Sequence, residues 1–107
     1  MKSTKPALIP GIRNDSKYRT DIGITNVTDQ AAVATVRYLD PTTGIEFRSQ
    51  QFALTAYESV KATDVDLAGR TRASVKIEVI GSNVWAYGSI IDRFTLDPEY
   101  VQAMPLP

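Results

Sequence analysis

The 107-residue sequence contains no cysteine and no histidine. Without cysteine there is no disulfide framework and no thiol nucleophile. Without histidine the usual general base near neutral pH is missing, and a Ser-His-Asp triad is excluded. Structural zinc normally needs cysteine or histidine ligands, so that kind of site is excluded too. Only carboxylates, hydroxyls, lysines, tyrosines and backbone groups remain, and we expect neither an enzyme nor a bound cofactor.

An excess of charge and long apolar runs are also missing. Twelve basic residues balance twelve acidic ones, and the two signs are interspersed along the chain. Because there is no basic stripe to attract phosphates, nucleic acid is not an expected partner. No apolar run is long enough to span a membrane or to serve as a signal peptide. We therefore expect no membrane insertion, and the signal peptide of a secreted protein would lie outside this sequence.

What the sequence does contain is apolar–polar alternation with a period of two. In "TRASVKIEVIG" (71–81), Ala73, Val75, Ile77 and Val79 alternate with polar residues. This pattern is typical of a strand with one face in the core and the other in water. Strands are predicted in eight segments: 7–12, 18–26, 31–40, 44–54, 58–65, 71–81, 83–92 and 99–104.

Three details refine this prediction. Within 44–54 the apolar parity changes between Phe47 and Phe52, which indicates a bulge or bend near Gln50. The stretch "DVDLAGR" (64–70) predicts a single helical turn that Asp64 caps and Gly69 stops. Segment 83–92 has apolar residues at both odd and even positions, which is typical of a central, nearly buried strand. Its tryptophan, Trp85, is expected in the core together with Tyr38.

Turn-like clusters recur roughly every 8–12 residues, as expected of an all-β sandwich. About seven or eight short strands are too many for a five-stranded OB barrel. We predict a single domain over residues 1–107, folded as an all-β, immunoglobulin-like antiparallel β-sandwich.

Two stretches carry a family resemblance. "YRTDIGITNVTDQAAVATVRYLDPTTG" resembles the opening of modules in secreted and cell-surface bacterial proteins, and "VWAYGSIIDRFTLDPEYVQAMP" resembles their closing strands. The resemblance implies an immunoglobulin-like sandwich that serves as a non-catalytic surface or adhesion module. It supplies no set of catalytic residues.

The segment "IIDRFTLDPEYVQ" (90–102) concentrates three carboxylates, Asp92, Asp97 and Glu99. A glycosidase would hold two carboxyl groups across a cleft, and calcium would need six to eight oxygens. The simpler interpretation is a turn in which aspartates accept backbone hydrogen bonds and Arg93 pairs with one carboxylate. We predict no catalytic residues, and the three carboxylates stand only as metal-ligand candidates.

Two binding hypotheses remain. The proline-studded termini can form adjacent edge strands that pair with another protein or a second copy. The interaction candidates there are Leu8, Ile9, Tyr100, Val101 and Met104. The alternative is a carbohydrate-binding module, which needs several of Tyr18, Tyr38, Tyr57, Trp85, Tyr87 and Tyr100 on one exposed face. We expect a structural or interaction module of a bacterial extracellular or cell-surface protein, with carbohydrate binding as the alternative.

Overall fold

The computed structural model describes residues 6–80 and 84–105. All helices and strands assigned within these ranges are β-strands. The described residues therefore include no helix long and apolar enough to cross a membrane. The nine strands in the described ranges are β1 (Ala7–Arg13), β2 (Tyr18–Asn26), β3 (Ala32–Leu39), β4 (Glu46–Leu54), β5 (Ser59–Ala62), β6 (Arg72–Ile80), β7 (Val84–Asp92), β8 (Pro98–Gln102) and β9 (Met104–Pro105).

The strands form two antiparallel sheets. One sheet has the order β4-β3-β6-β1-β9, and the other has the order β5-β2-β7-β8. Eight strands have four or more residues, and the ninth, β9, has only two. The prediction of an all-β antiparallel sandwich of seven or eight strands is therefore confirmed, with one short strand added.

Alternate residues of each sheet fill the core between the two layers. On β6 the buried residues are Ala73, Val75, Ile77 and Val79, and on β3 they are Ala32, Ala34, Val36 and Tyr38. Burial of each large apolar side chain contributes about 1.5–3 kcal/mol. Tyr38 lies in the core as predicted, its hydroxyl donates to Gln50 Oε1 at 2.9 Å, and burial raises the pKa of its phenol.

The predicted irregularity in segment 44–54 exists, but it lies closer to the start of the strand. Tyr38 pairs with Arg48 while Leu39 pairs with Glu46, so Phe47 is the extra residue of a bulge in β4. The bulge turns Phe47 towards the core alongside Phe52, which has the opposite parity in sequence. The predicted position near Gln50 was wrong. A change in the parity of the apolar residues shows that a strand contains a bulge, but it does not show at which residue the bulge lies.

The helical turn predicted over 64–70 does not form. This segment is an irregular loop that ends in a turn at Ala68 and Gly69, and Asp64 has a φ of +49°. Its alternate apolar residues Val65 and Leu67 are both buried in the core, and the Val65 N–H donates to the Thr20 carbonyl at 2.9 Å. Burying two side chains outweighs the local capping preference of an aspartate.

Candidate functional site

The acidic segment 90–102 forms the hairpin between β7 and β8. Asp92 Oδ1 accepts the backbone N–H groups of Phe94 at 2.8 Å and Thr95 at 3.2 Å. These two bonds, the one from Phe94 first, lower the pKa of Asp92 from its ordinary value of 3.8. The Leu96 N–H closes the loop by donating to the Asp92 carbonyl at 2.8 Å. Asp92 therefore serves as the acceptor of a tight turn.

The other two carboxylates of the segment, Asp97 and Glu99, are exposed. Across residues 6–80 and 84–105, no three Asp or Glu side chains group closely enough to hold a metal ion. Arg93 pairs with a carboxylate outside the segment, since its Nη2 lies 3.1 Å from Asp64 Oδ1. The same guanidinium donates to Asn14 Oδ1 at 2.7 Å and to the Asp15 carbonyl at 2.9 Å. Arg93 thus clamps three loops together at one end of the sandwich.

The two terminal segments meet within one chain. Strand β9 pairs with β1 through Ala7↔Pro105 and Leu8↔Met104, and β8 pairs with β7. Of the five interaction candidates, Ile9 is wholly buried, and Val101 packs against the core. Leu8 is half-buried, whereas Tyr100 and Met104 are 69% and 54% exposed. Ile9 and Val101 are therefore core residues, and three of the five remain accessible to a partner.

The exposed aromatic residues of β7 and β8 lie on the outer surface of the four-stranded sheet. Trp85 and Tyr87 are two apart on β7, and Tyr100 pairs with Ser89 on the same side of the sheet. Trp85 is 47% exposed, so its predicted place in the core was wrong. We call the surface around Trp85, Tyr87 and Tyr100 the aromatic face.

The three rings form a continuous row. The ring centroids of Trp85 and Tyr87 are 5.0 Å apart with a 37° tilt, and those of Tyr87 and Tyr100 are 6.0 Å apart with a 57° tilt. Together with Gln102 they line an open depression of about 430 Å³. Because the ring planes are tilted relative to one another, the row forms an uneven platform instead of a flat one.

Gly23 sets the position of the central ring. Gly23 on β2 is the register partner of Tyr87, and a Cβ added at Gly23 would lie 2.4 Å from Tyr87 Cε1 and Cζ and 2.6 Å from its hydroxyl oxygen. The phenol of Tyr87 therefore lies directly over the backbone of β2, where only glycine leaves room. This packing holds the ring low against the sheet and leaves its upper side half-exposed.

Polar groups border the row. Thr25, the register partner of Trp85, shares a hydrogen bond with Ser59 between their hydroxyl oxygens, which are 2.8 Å apart. Lys61 is the partner of Gly23 on the next strand, and Gln102 is the partner of Tyr87 on the other side. The aromatic face thus combines three rings with hydroxyl, amide and ammonium groups.

The outer surface of the five-stranded sheet has a different character. Its central residue Arg37 forms ion pairs with Glu78 and with Glu46, the latter at 3.0 Å. The neighbouring positions there include Lys76 and Thr35. The centre of that surface is therefore charged and polar, while Val33 and the exposed Ile80 lie near one end of it, and no row of aromatic rings is found there among the described residues.

The remaining tyrosines lie away from the aromatic face. Tyr38 is in the core, Tyr57 is exposed in the β4–β5 loop, and Tyr18 lies beneath Arg13, whose guanidinium carbon is 4.2 Å from the ring centroid. Trp85, Tyr87 and Tyr100 are among the six aromatic residues named as platform candidates from the sequence, which did not single these three out. Trp85 and Tyr87 are two positions apart in a predicted strand, which indicates that they share a face. The residue of β7 that Tyr100 pairs with cannot be predicted from the sequence.

This protein is therefore a β-sandwich whose two outer surfaces differ: one carries the aromatic face, and the other has a charged centre. No family model matches the sequence, and no curated protein matches it. Its fold is similar to that of the crystal structure of Thermotoga maritima 1070, with a TM-score of 0.72 over 99% of this chain and 96% of that chain. The two chains are 13% identical, so the similarity concerns the fold alone.

Proposed function

We propose that this protein is a non-catalytic binding module and that its aromatic face binds carbohydrate. The observation that carries the proposal is the row of Trp85, Tyr87 and Tyr100 on one exposed surface of the four-stranded sheet. Sugars present apolar C–H surfaces that pack on aromatic rings, while their hydroxyl groups need hydrogen-bonding partners. The aromatic face offers both, because rings and polar side chains alternate across neighbouring strands.

The proposal of a non-catalytic role is supported by the acidic segment. A general acid needs a raised pKa close to the working pH, whereas the turn N–H groups lower the pKa of Asp92. Asp97 and Glu99 are both exposed, so neither has the burial that tunes a catalytic carboxyl group.

We further propose that the module belongs to a bacterial extracellular or cell-surface protein and that its sandwich is of the immunoglobulin-like kind. The support for both is the resemblance of the two segments "YRTDIGITN" and "SIIDRFTLDPEYV" to modules of such proteins. A module that captures sugar chains at a cell surface is consistent with that setting.

A glycan array followed by titration calorimetry tests carbohydrate binding. We expect saturable binding of at least one glycan, and Trp85→Ala or Tyr100→Ala should weaken it by about tenfold, since an aromatic contact of this kind contributes about 1 kcal/mol or more. Tyr57→Ala is the matched control, because Tyr57 is about as exposed as Tyr100 but lies in a loop away from the row. Absence of saturable binding on the array, or equal loss in the Tyr57 variant, would contradict the proposal.

Self-association through the terminal strands is a second candidate function. The favouring observation is that Leu8 and Met104 are cross-strand partners, so the exposed Met104 extends a small apolar patch at the sheet edge. An edge strand presents unpaired backbone groups that accept a strand from another chain.

The self-association candidate needs a point variant, because removing residues 1–9 would also remove the buried Ile9. Met104→Glu places a charge on the exposed patch and leaves the core intact. If the edge mediates association, light scattering should show a mass that rises with concentration in the parent protein and stays monomeric in the variant. A monomeric parent protein at high concentration would rule this function out.

A further inference from the structure

A buried carboxylate with two cations beside it adjoins the aromatic face. Asp21 on β2 is 1% exposed, and its Oδ1 accepts the Asp64 N–H at 2.8 Å. Lys61 Nζ lies 3.6 Å from Asp21 Oδ2, and Arg19 Nε lies 3.8 Å from Oδ1. This group therefore contains two positive charges and one negative charge.

Both cations keep N–H donors that Asp21 does not use, although the Arg19 Nε is itself buried and has no hydrogen-bond partner among the described residues. The distances from Lys61 and Arg19 to Asp21 are those of ion pairs and exceed the usual range of a hydrogen bond. The side chain of Lys61 is 54% exposed and that of Arg19 is 33% exposed. On the opposite sheet, by contrast, the guanidinium of Arg37 is paired with two carboxylates, Glu46 and Glu78. The surplus of positive charge in the Asp21 group faces the same side as the rings.

Lys61 lies in the same row of the sheet as the central ring. Gly23 pairs with Lys61 on one side and with Tyr87 on the other. Because Gly23 has no side chain, and because the hydroxyl end of Tyr87 extends over it, no side chain of β2 stands between the lysine and the phenol at this register position. A sugar stacked on Tyr87 would bring its substituents within reach of the Lys61 ammonium.

We propose that the carbohydrate bound by the aromatic face is anionic, with carboxylate or sulfate groups that Lys61 and Arg19 recognise. This inference rests on the proposed function, since the rings must first hold the sugar. The buried Asp21 carboxylate fixes the two cations and offsets only one of them. An anionic substituent completes the charge balance of the group, whereas a neutral sugar leaves one cation without a counter-charge.

The test compares three ligands by titration calorimetry: a short oligogalacturonate, the same chain with its carboxyl groups reduced to alcohols, and a sulfated chain of equal length. We expect one of the two anionic chains to bind at least about tenfold more tightly than the reduced chain, and which one it is identifies the anionic group. Added sodium chloride should reduce this preference, because salt screens exposed charges.

Two variants of Lys61 connect the preference to the residue. Lys61→Met should abolish the preference for the anionic chain, and Lys61→Arg should retain it. The charge-preserving variant separates recognition from any loss of folding caused by leaving Asp21 with one cation fewer. Lys76→Met, on the outer surface of the other sheet, is the matched control and should change nothing.

The possible failures are distinguishable. Equal binding of neutral and anionic chains, lost in Tyr100→Ala, would overturn the anionic preference while supporting carbohydrate binding. Binding of an anionic chain that persists in Trp85→Ala and Tyr100→Ala would overturn the inference, because charge alone would then be responsible. Absence of binding by all three chains, together with an empty glycan array, would overturn the inference and the proposed function together.

Discussion

Gly23 and Tyr87 illustrate how one small residue shapes the aromatic face. Glycine in the middle of a strand is unfavourable by roughly 0.5–1 kcal/mol relative to alanine. At this position the absence of a side chain lets the phenol of Tyr87 cover the backbone of β2, with ring atoms 2.4 Å from where a Cβ would lie. The aromatic ring covers the surface that glycine leaves bare, a known arrangement that stabilises glycine in sheets.

Gly23→Ala is therefore expected to displace the ring of Tyr87. Alanine does not fit beneath the phenol, so the ring must swing outward, and overpacking of this kind costs about 1–3 kcal/mol. We expect a changed near-ultraviolet circular dichroism spectrum and a lower urea midpoint, and under the proposed function also weaker binding of carbohydrate.

The control for Gly23→Ala is the same substitution in a Tyr87→Ala background. With the ring removed, alanine at position 23 meets no obstacle and should cost little or even stabilise the strand. A double-mutant cycle gives the coupling between the two positions. Additive effects of the two substitutions would contradict the steric explanation.

At the scale of the element, apolar–polar alternation with a period of two identified the strands that have one buried face and one exposed face. On β6 each buried residue is apolar, and its neighbours are polar or charged except for Ile80 at the end of the strand, so sequence alone assigned the face correctly. Strand β7 gave no such contrast, and its inner face carries the small Ala86 and Gly88. A Cβ at Gly88 would lie 3.2 Å from Ile9 Cγ2, so the core has little room there. The larger Trp85 lies on the outer face, a result that composition does not reveal.

Segment 64–70 shows why short-range signals failed elsewhere. An aspartate followed by a glycine five residues later suits a helical turn as well as an open loop. The outcome depends on Thr20 and Asp21 of β2, whose carbonyl and carboxylate accept the N–H groups of Val65 and Asp64. Such long-range partners are absent from local sequence patterns. The candidate site was hidden for the same reason, because Tyr100 joins the row only through its pairing with Ser89.

At the scale of the whole molecule, three aspartates secure the loops at one end of the sandwich. Asp15 Oδ1 accepts the N–H groups of Tyr18 at 2.7 Å and of Lys17 at 2.9 Å. Asp40 and Asp92 do the same for the residues two and three positions further along the chain. Pairing of Arg13 with Arg72, Leu39 with Ser74 and Tyr18 with Asp92 brings these three loops to the same end.

These turns make the stability of the whole chain dependent on acid. The backbone hydrogen bonds lower the pKa of Asp15, Asp40 and Asp92 below their ordinary value of 3.8. A lowered folded-state pKa means that the unfolded state takes up protons first as the pH falls. The stabilisation is therefore fully present above the unfolded value of 3.8 and is lost as the pH falls through the folded pKa of each group.

The triple variant Asp15→Asn, Asp40→Asn and Asp92→Asn tests this dependence. Asparagine keeps an oxygen that accepts the turn N–H groups but does not titrate, and neutral acceptors form weaker hydrogen bonds than carboxylates. We expect a lower urea midpoint for the variant at neutral pH, and convergence of the two midpoints as the pH falls below the ordinary aspartate value. The difference should persist in high salt, because short hydrogen bonds are screened far less than separated surface charges. A constant difference between the two proteins from neutral to acid pH would show that the turn carboxylates do not carry the acid sensitivity.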